Sequence, residues 1–388
     1  MKLSLPPTTM KLSLLLPGSL SLPLVLLLSV PVLSSPCHFP AVINLGDSNS
    51  DTGAFSAVFV PLRTPYGETF FRMPAGRYSD GRLIIDFIAE SFGLRYLSAY
   101  LDSLGANFSH GANFASAAAT IVPPLSQAGY SPLSLDVQLD EFLQFKSRSR
   151  IIYKRGGFYS KLMPRKEYFS QALYTFDIGQ NDITAFAFAN ISANDYIPNA
   201  LNMFSSVIKS IYEAGGRSFW IHNTGPLGCL AYVLLRKPPT EQQLDSAGCA
   251  ILYNDLAHQF NRMLNETVIQ LRKDLPLAAI TLVDIYSAKY KLISEGTKYG
   301  FEHPLRTCCG YGGGEYNFDF FVRCSNTGKV NGTTVLLGKS CKDPSKSIIW
   351  DGVHYTEAAN RWVFDQIKGG AFSDPPVPLS MACHREKP

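Results

Sequence analysis

The chain has 388 residues, and its 35 basic and 31 acidic side chains give a formal charge of +4. Without Lys2 and Lys11, which fall in the leader described next, the charge is about +2. So mild a balance leaves no electrostatic case for nucleic acid as a partner, and the length suits one α/β domain.

At the amino end, Lys2 and Lys11 precede the apolar run Leu20 to Leu33, with small residues Ser34 and Ser35 after it. This is the layout of a secretory signal peptide, expected over residues 1–34, with the mature domain over residues 35–388. Pro23 and Pro31 interrupt a run already shorter than the ~20 residues a spanning helix needs. No later run is long and apolar enough either, so stable membrane insertion is not expected and a secreted, extracellular protein is.

Ala41 to Leu45 is a short apolar run, read as a buried strand, that feeds Gly46-Asp47-Ser48-Asn49-Ser50-Asp51-Thr52-Gly53. The turn lifts Ser48 to the carboxyl edge of a sheet, where ligands and chemistry gather in open α/β folds. Gly, Asp, Ser and Asn also make ordinary turns, so the octapeptide alone reads equally as a turn or as a nucleophile. A helix is predicted from near Asp80, carrying Leu83, Ile84, Phe87 and Ile88 and ending at Gly93. Gly111 to Thr120 reads as a small-residue loop whose backbone approaches a ligand, or as the crowded packing of a helix start.

A second strand, Leu173 to Ile178, ends in Gly179-Gln180-Asn181-Asp182, which puts Asn181 at a strand end, as turn residue or as donor. A helix over Pro198 to Glu213 presents Leu201, Phe204, Ile208 and Ile211. The strand Ser218 to His222 follows, then a helix after Asp245 with Leu252, Leu256, Phe260, Leu264 and Leu271, then the strand Ile280 to Ile285. The last helix begins at Thr356 and closes at Gly369-Gly370, with Trp362, Val363 and Ile367 expected to pack on the sheet and pin the loop before it. Apolar runs alternating with helical patterns predict a parallel sheet flanked by helices.

The eight cysteines, Cys37, Cys229, Cys249, Cys308, Cys309, Cys324, Cys341 and Cys383, form an even set suited to disulfides outside the cell, with the pairing left open. Those from Cys308 to Cys341 enclose Gly310-Tyr311-Gly312-Gly313-Gly314 and read as a stapled, loop-rich insertion. No histidine pair stands beside Cys308 at ligand spacing, so neither zinc nor another metal or cofactor is expected. Sequons at Asn107, Asn190, Asn265 and Asn331 are candidate glycosylation sites.

Trp350-Asp351-Gly352-Val353-His354 places a carboxylate three residues before an imidazole, with a glycine that lets the loop bend. A serine hydroxyl becomes a nucleophile when a base takes its proton, and that base works best when a carboxylate fixes its tautomer. Asp351 and His354 supply both parts from one loop, or His354 is a loop histidine held by local backbone.

Taken in order, Gly46-Asp47-Ser48, Gly111 to Thr120, Gly179 to Asp182 and Asp351 to His354 resemble the motif blocks of the GDSL, or SGNH, hydrolase family. Pro74 to Asp80 and Ser218 to Cys229 look like its plant branch, near the early-nodulin-like, α-fucosidase-like and latex-esterase group, and the likeness runs from about Phe39 to about Cys383. The resemblance implies a three-layer sandwich with Ser48 as nucleophile, His354 as general base and Asp351 orienting it. The implied oxyanion donors are the Ser48 and Ala118 backbone N–H groups and the Asn181 side chain. Ala118 stands where the family commonly has glycine; its N–H serves if φ is negative, and the residue is strained if φ is positive.

By the same resemblance the protein is a secreted serine esterase of the apoplast or cell wall, acting without a cofactor through an acyl-enzyme. Its implied substrates are acetyl or other short acyl esters of plant carbohydrates, glycosides or specialised metabolites. Acyl transfer from the same intermediate is the alternative, and a non-catalytic secreted binding protein comes third, supported by Ala118 alone. The α-fucosidase name is a poor guide, because retaining glycosidases rely on two carboxylates flanking the bond.

Overall fold

A computed structural model of the chain describes residues 35–124 and 129–384; the expected signal peptide, residues 1–34, lies outside them. Five strands, β1 (Val42–Gly46), β2 (Gly111–Asn113), β3 (Leu173–Asp177), β4 (Ser218–His222) and β5 (Ala279–Val283), pair in parallel in the order β2-β1-β3-β4-β5. An exposed hairpin of β6 (Thr327–Val330) and β7 (Thr333–Leu336) forms a separate sheet, and β8 (Ser373–Asp374) runs antiparallel along the edge of β5. Every residue of β1, β3 and β4 is buried. Both faces of the sheet are therefore covered, which is why these strands read as unbroken apolar runs and not as alternating ones.

The cover is helical. Leu135–Arg155, Ala193–Glu213 and Ile251–Asp274 pack on one another as one group, and Ile84–Ser91, Ile285–Glu295 and Glu357–Ile367 as a second. Ala193–Glu213 buries Ile197, Leu201, Phe204, Ile208 and Ile211, the spacing of one helix face.

Several boundaries differ from the sequence reading for local reasons. Asp80 does not open a helix; the helix begins at Ile84, and the Asp80 carboxylate accepts the Glu357 N–H at 2.7 Å, capping the last helix from far away in sequence. Asp245 likewise holds a turn, accepting the N–H groups of Ala247 and Cys249 at 2.9 Å, and its helix starts at Ile251. β5 stops at Val283 because Asp284 caps the next helix through the Ser287 N–H. Gly111 opens a strand and not a loop: β2 lies so close to β1 that a methyl group there would overlap the Val42 carbonyl.

Leu135–Arg155 is a long helix with no counterpart in the sequence reading, since its buried face mixes Gln138, Glu141 and Ser149 with Leu135, Phe142 and Phe145. In the last helix, Val363 and Ile367 are buried as expected, but against neighbouring helices. Trp362 is only half-buried, its ring 4.7 Å from that of Tyr299, so Phe364 takes its place in the core beside Phe87.

All eight cysteines are paired: Cys37–Cys383, Cys229–Cys249, Cys308–Cys341 and Cys309–Cys324. The first joins positions 346 residues apart, so it restricts the unfolded chain most. Replacing both Cys37 and Cys383 by alanine is expected to lower the unfolding free energy by about 2–5 kcal/mol in denaturant titration. An unchanged midpoint and slope would show that this closure contributes nothing.

Candidate active site

Strand order reverses at β1: the chain leaves it for β2 on one side and returns to β3 on the other. A crevice opens beyond the carboxyl ends of the two strands at such a reversal. Ser48 lies two residues past β1, and Asn181 lies in the helix Gln180–Phe188 that follows β3. The loop before the last helix enters the same crevice. Trp350 N–H donates to the His354 carbonyl at 2.7 Å, closing a tight turn around Gly352, whose φ is 91°. A side chain at Gly352 would overlap the Phe318 ring, so both backbone angle and space demand glycine.

The turn delivers His354 to Ser48. His354 Nε2 lies 2.7 Å from Ser48 Oγ, and His354 Nδ1 lies 2.8 and 2.9 Å from the two Asp351 oxygens. Ser48 is 5% exposed and His354 9%, so the contacts are sheltered from bulk water. Asp351 also accepts the Tyr66 hydroxyl at 2.8 Å and the backbone N–H of Val353 and His354. Burial opposes its charge, but His354 and these donors outweigh burial and hold its pKa down to about 2. The same burial, with the Asp351 charge, pushes the Tyr66 hydroxyl well up, so it stays a donor.

A second imidazole–carboxylate pair stands close by. His222, at the end of β4, has Nδ1 at 3.1 Å from Asp177 Oδ2 and Nε2 at 3.1 Å from Trp220 Nε1. An indole N–H only donates, so His222 Nε2 accepts, and the neutral ring carries its proton on Nδ1, toward Asp177. Nε2 of this ring is thus engaged, whereas Nε2 of His354 faces a hydroxyl.

Three groups with N–H bonds to spare belong to residues that line one cavity: Ser48, Ala118 and Asn181. Neither the Ser48 nor the Ala118 backbone N–H donates to a protein acceptor among the described residues. The Asn181 amide gives one N–H to the Ala119 carbonyl at 2.9 Å, which fixes its orientation and leaves the other N–H free. Ala118 has φ 60°, the left-handed region in which a Cβ costs about 1–2 kcal/mol. Of the two conformations considered from sequence, the strained one is present.

Buried polar side chains absent from the sequence reading hold these loops in place. Asn44, in mid-β1, donates to Asn113 Oδ1 at 2.7 Å and Ser50 Oγ at 3.0 Å and accepts the Thr175 hydroxyl at 2.7 Å. Asn113 in turn donates to the Ser50 carbonyl and the Thr52 hydroxyl. Asp51 accepts the N–H groups of Gly53, Ala54, Phe55 and Ala117, tying the Ser48 loop to the Ala118 loop. Asp182 accepts those of Ile121 and Val122, tying the Ala118 loop to the helix of Asn181. Asn44 looks like a blemish in an apolar run, and Asp51 and Asp182 look like ordinary turn residues, so none announces its role in the sequence.

Beneath Ser48 lies a buried charge cluster. Burial and the nearby Asp177 charge push the Asp47 pKa up to about 7, and its Oδ2 has no partner among the described residues. Burial works against Asp177 also, but the hydrogen bond from His222 and the charge of Lys289 hold its pKa below the usual range. Lys289 is itself buried, with Nζ 4.4 Å from the centre of the Tyr355 ring.

The crevice continues into a cavity of about 560 Å³ lined by Ser48, His354, Ala118 and Asn181, with Phe55, Tyr78, Tyr130, Phe188 and Tyr232 as walls. Among the described residues, no cluster of side chains is arranged to hold a metal ion, and Cys308 and Cys309 are both tied in disulfides. Asn190 and Asn331 are exposed, Asn107 and Asn265 partly so.

The model of the GDSL-like lipase/acylhydrolase family matches residues 42–367. The GDSL esterase/lipase ACHE of Zea mays is 59% identical over 355 residues, 90% of each chain. The esterase of Hevea brasiliensis is 56% identical over 369 residues, 93% of each chain. Alpha-L-fucosidase 3 of Arabidopsis thaliana is 51% identical over 356 residues, 90% of this chain and 93% of that one.

Because the Asp351 pKa falls from 3.8 to about 2 in the fold, the stability it contributes is full above pH 4 and is lost as pH falls through 2. The quantity to follow is the unfolding free energy of the wild type minus that of Asp351→Asn. Between pH 4 and pH 2 it should shrink by about 2 kcal/mol, read from denaturant titrations at each pH. A gap independent of pH would mean that the fold does not favour the ionised carboxylate.

Proposed function

The chain belongs to the GDSL-like lipase/acylhydrolase family and is a carboxylic ester hydrolase, and we propose that it works as a secreted serine esterase through an acyl-enzyme. The observation that carries this is the line from Ser48 Oγ through His354 Nε2 and Nδ1 to Asp351, beside three N–H groups without other employment. Ser48 Oγ attacks the ester carbonyl while His354 Nε2 takes its proton. The tetrahedral oxygen receives hydrogen bonds from the Ser48 and Ala118 N–H groups and the free N–H of Asn181. Collapse expels the alcohol, which takes the proton from His354. Water then attacks the acyl-Ser48 with His354 as base again, and Asp351 steadies the imidazolium in both half-reactions.

The substrates proposed are acetyl or other short acyl esters of plant carbohydrates, glycosides or specialised metabolites. A glycosidase reading lacks support, because no carboxylate lines the cavity among the described residues and glycoside hydrolysis ordinarily uses two. Export to the apoplast or cell wall, with residues 1–34 removed and 35–388 retained, is supported by the apolar leader, four sequons that remain accessible and four disulfides.

Ser48→Ala and His354→Ala are each expected to lower turnover of 4-nitrophenyl acetate by about 10⁴-fold or more, and a fluorophosphonate probe should label Ser48 in the native protein alone. Near-wild-type turnover in either variant would overturn that residue's role. Ala118→Gly keeps the donor and relieves the left-handed strain, so kcat is expected to stay within about threefold of wild type. Ala118→Pro removes the N–H and imposes negative φ, so kcat should fall about a hundred- to a thousandfold. Equal rates for the two variants would remove Ala118 from the oxyanion site.

A further inference from the structure

The cavity beside Ser48 carries two guanidinium groups, Arg323 and Arg236, and no acidic side chain among the described residues that line it. The carboxylates whose charges reach Arg323 are already engaged, Asp351 by His354, Tyr66 and two backbone N–H groups, and Asp319 by the N–H groups of Phe321 and Val322. Arg323 is half-buried, with its guanidinium carbon 4.5 Å from the centre of the Phe318 ring, 5.4 Å from Phe320 and 5.5 Å from Tyr232. Nε donates to the Phe320 carbonyl at 3.1 Å, and neither terminal nitrogen donates to a protein acceptor among the described residues. A cation so placed is enclosed by aromatic rings with its outer donors open, and a guanidinium with both terminal nitrogens unengaged can grip a planar anion through two parallel hydrogen bonds.

Its position is enforced. Arg323 precedes Cys324, which is bonded to Cys309, whose N–H donates to the carbonyl of Trp350, the residue before Asp351. The Tyr232 N–H donates to the Gly352 carbonyl at 3.1 Å, so the helix Ala231–Arg236 that carries Arg236 is tied to the same turn. The stapled insertion thus fixes the half-buried Arg323 relative to His354, at a cost in desolvation that the exposed Arg236 does not bear.

We propose that Arg323, assisted by Arg236, forms a subsite for a carboxylate borne by the substrate, so that the preferred esters are anionic. This rests on the catalytic reading of Ser48 and specifies what that site takes. The charge lies on the acyl or on the alcohol portion, and the test separates the two.

Two matched pairs serve: 4-acetoxybenzoate against 4-acetoxybenzamide places the charge on the alcohol side, and mono-4-nitrophenyl adipate against 4-nitrophenyl hexanoate places it on the acyl side. The wild-type enzyme is expected to favour the anionic member of at least one pair tenfold or more in kcat/KM. Arg323→Gln should reduce that preference at least tenfold, Arg236→Gln less, and Arg323→Lys should retain part of it. Benzoate should also inhibit the unaltered enzyme competitively at least ten times more tightly than benzamide, a reading that needs no variant to fold. Absence of preference in both pairs, or a preference untouched in both glutamine variants, overturns the subsite. Ser48→Ala separates the two claims: activity surviving in it defeats the catalytic reading, whereas its loss alongside unchanged selectivity defeats the subsite alone.

Discussion

The hydrogen bond of 2.7 Å from Ser48 to His354 joins residues 306 positions apart, and holding two such distant groups at bonding distance is the constraint the fold answers to. β1 fixes one partner from below, through a strand buried along its whole length. The other is fixed by a turn that needs glycine at 352 and by a helix capped at both Thr356 and Asp80. Rigid elements behind reacting groups keep them in productive geometry without cost at the moment of reaction.

Buried carboxylates divide the labour by environment. Asp351 collects donors and a neighbouring imidazole and stays ionised far below neutrality. Asp51 and Asp182 spend their acceptor capacity on backbone N–H groups and act as knots between loops. Asp47, crowded by Asp177 and with one oxygen unmatched, is pushed toward its neutral form. Buried ionic groups seldom add net stability, and here they fix the geometry around one hydroxyl.

The sheet was legible because β1, β3 and β4 are covered on both faces and so appear as short runs of apolar residues. Ser48, Asp351 and His354 stood out as candidates only when the motif blocks were taken together, since each segment alone also reads as an ordinary turn. The lattice of Asn44, Asn113, Asp51 and Asp182 was not, since a buried polar residue shows itself only through the partner that satisfies it, and those partners are distant in sequence. The helix Leu135–Arg155 escaped notice for a related reason: Gln138 faces inward to bond both the N–H and the carbonyl of Gly46, breaking the apolar stripe. Trp362 misled because size alone does not decide which side of a helix is covered. Arg323 had no signal at all, being one more basic residue in a cysteine-rich loop.

The order of parts along the polypeptide has a bearing on biosynthesis. The hydroxyl is made early and the imidazole late, so a ribosome must release nearly the whole chain before the two can meet. Any fragment ending before residue 354 lacks the imidazole, so the contact closes only when synthesis is all but complete.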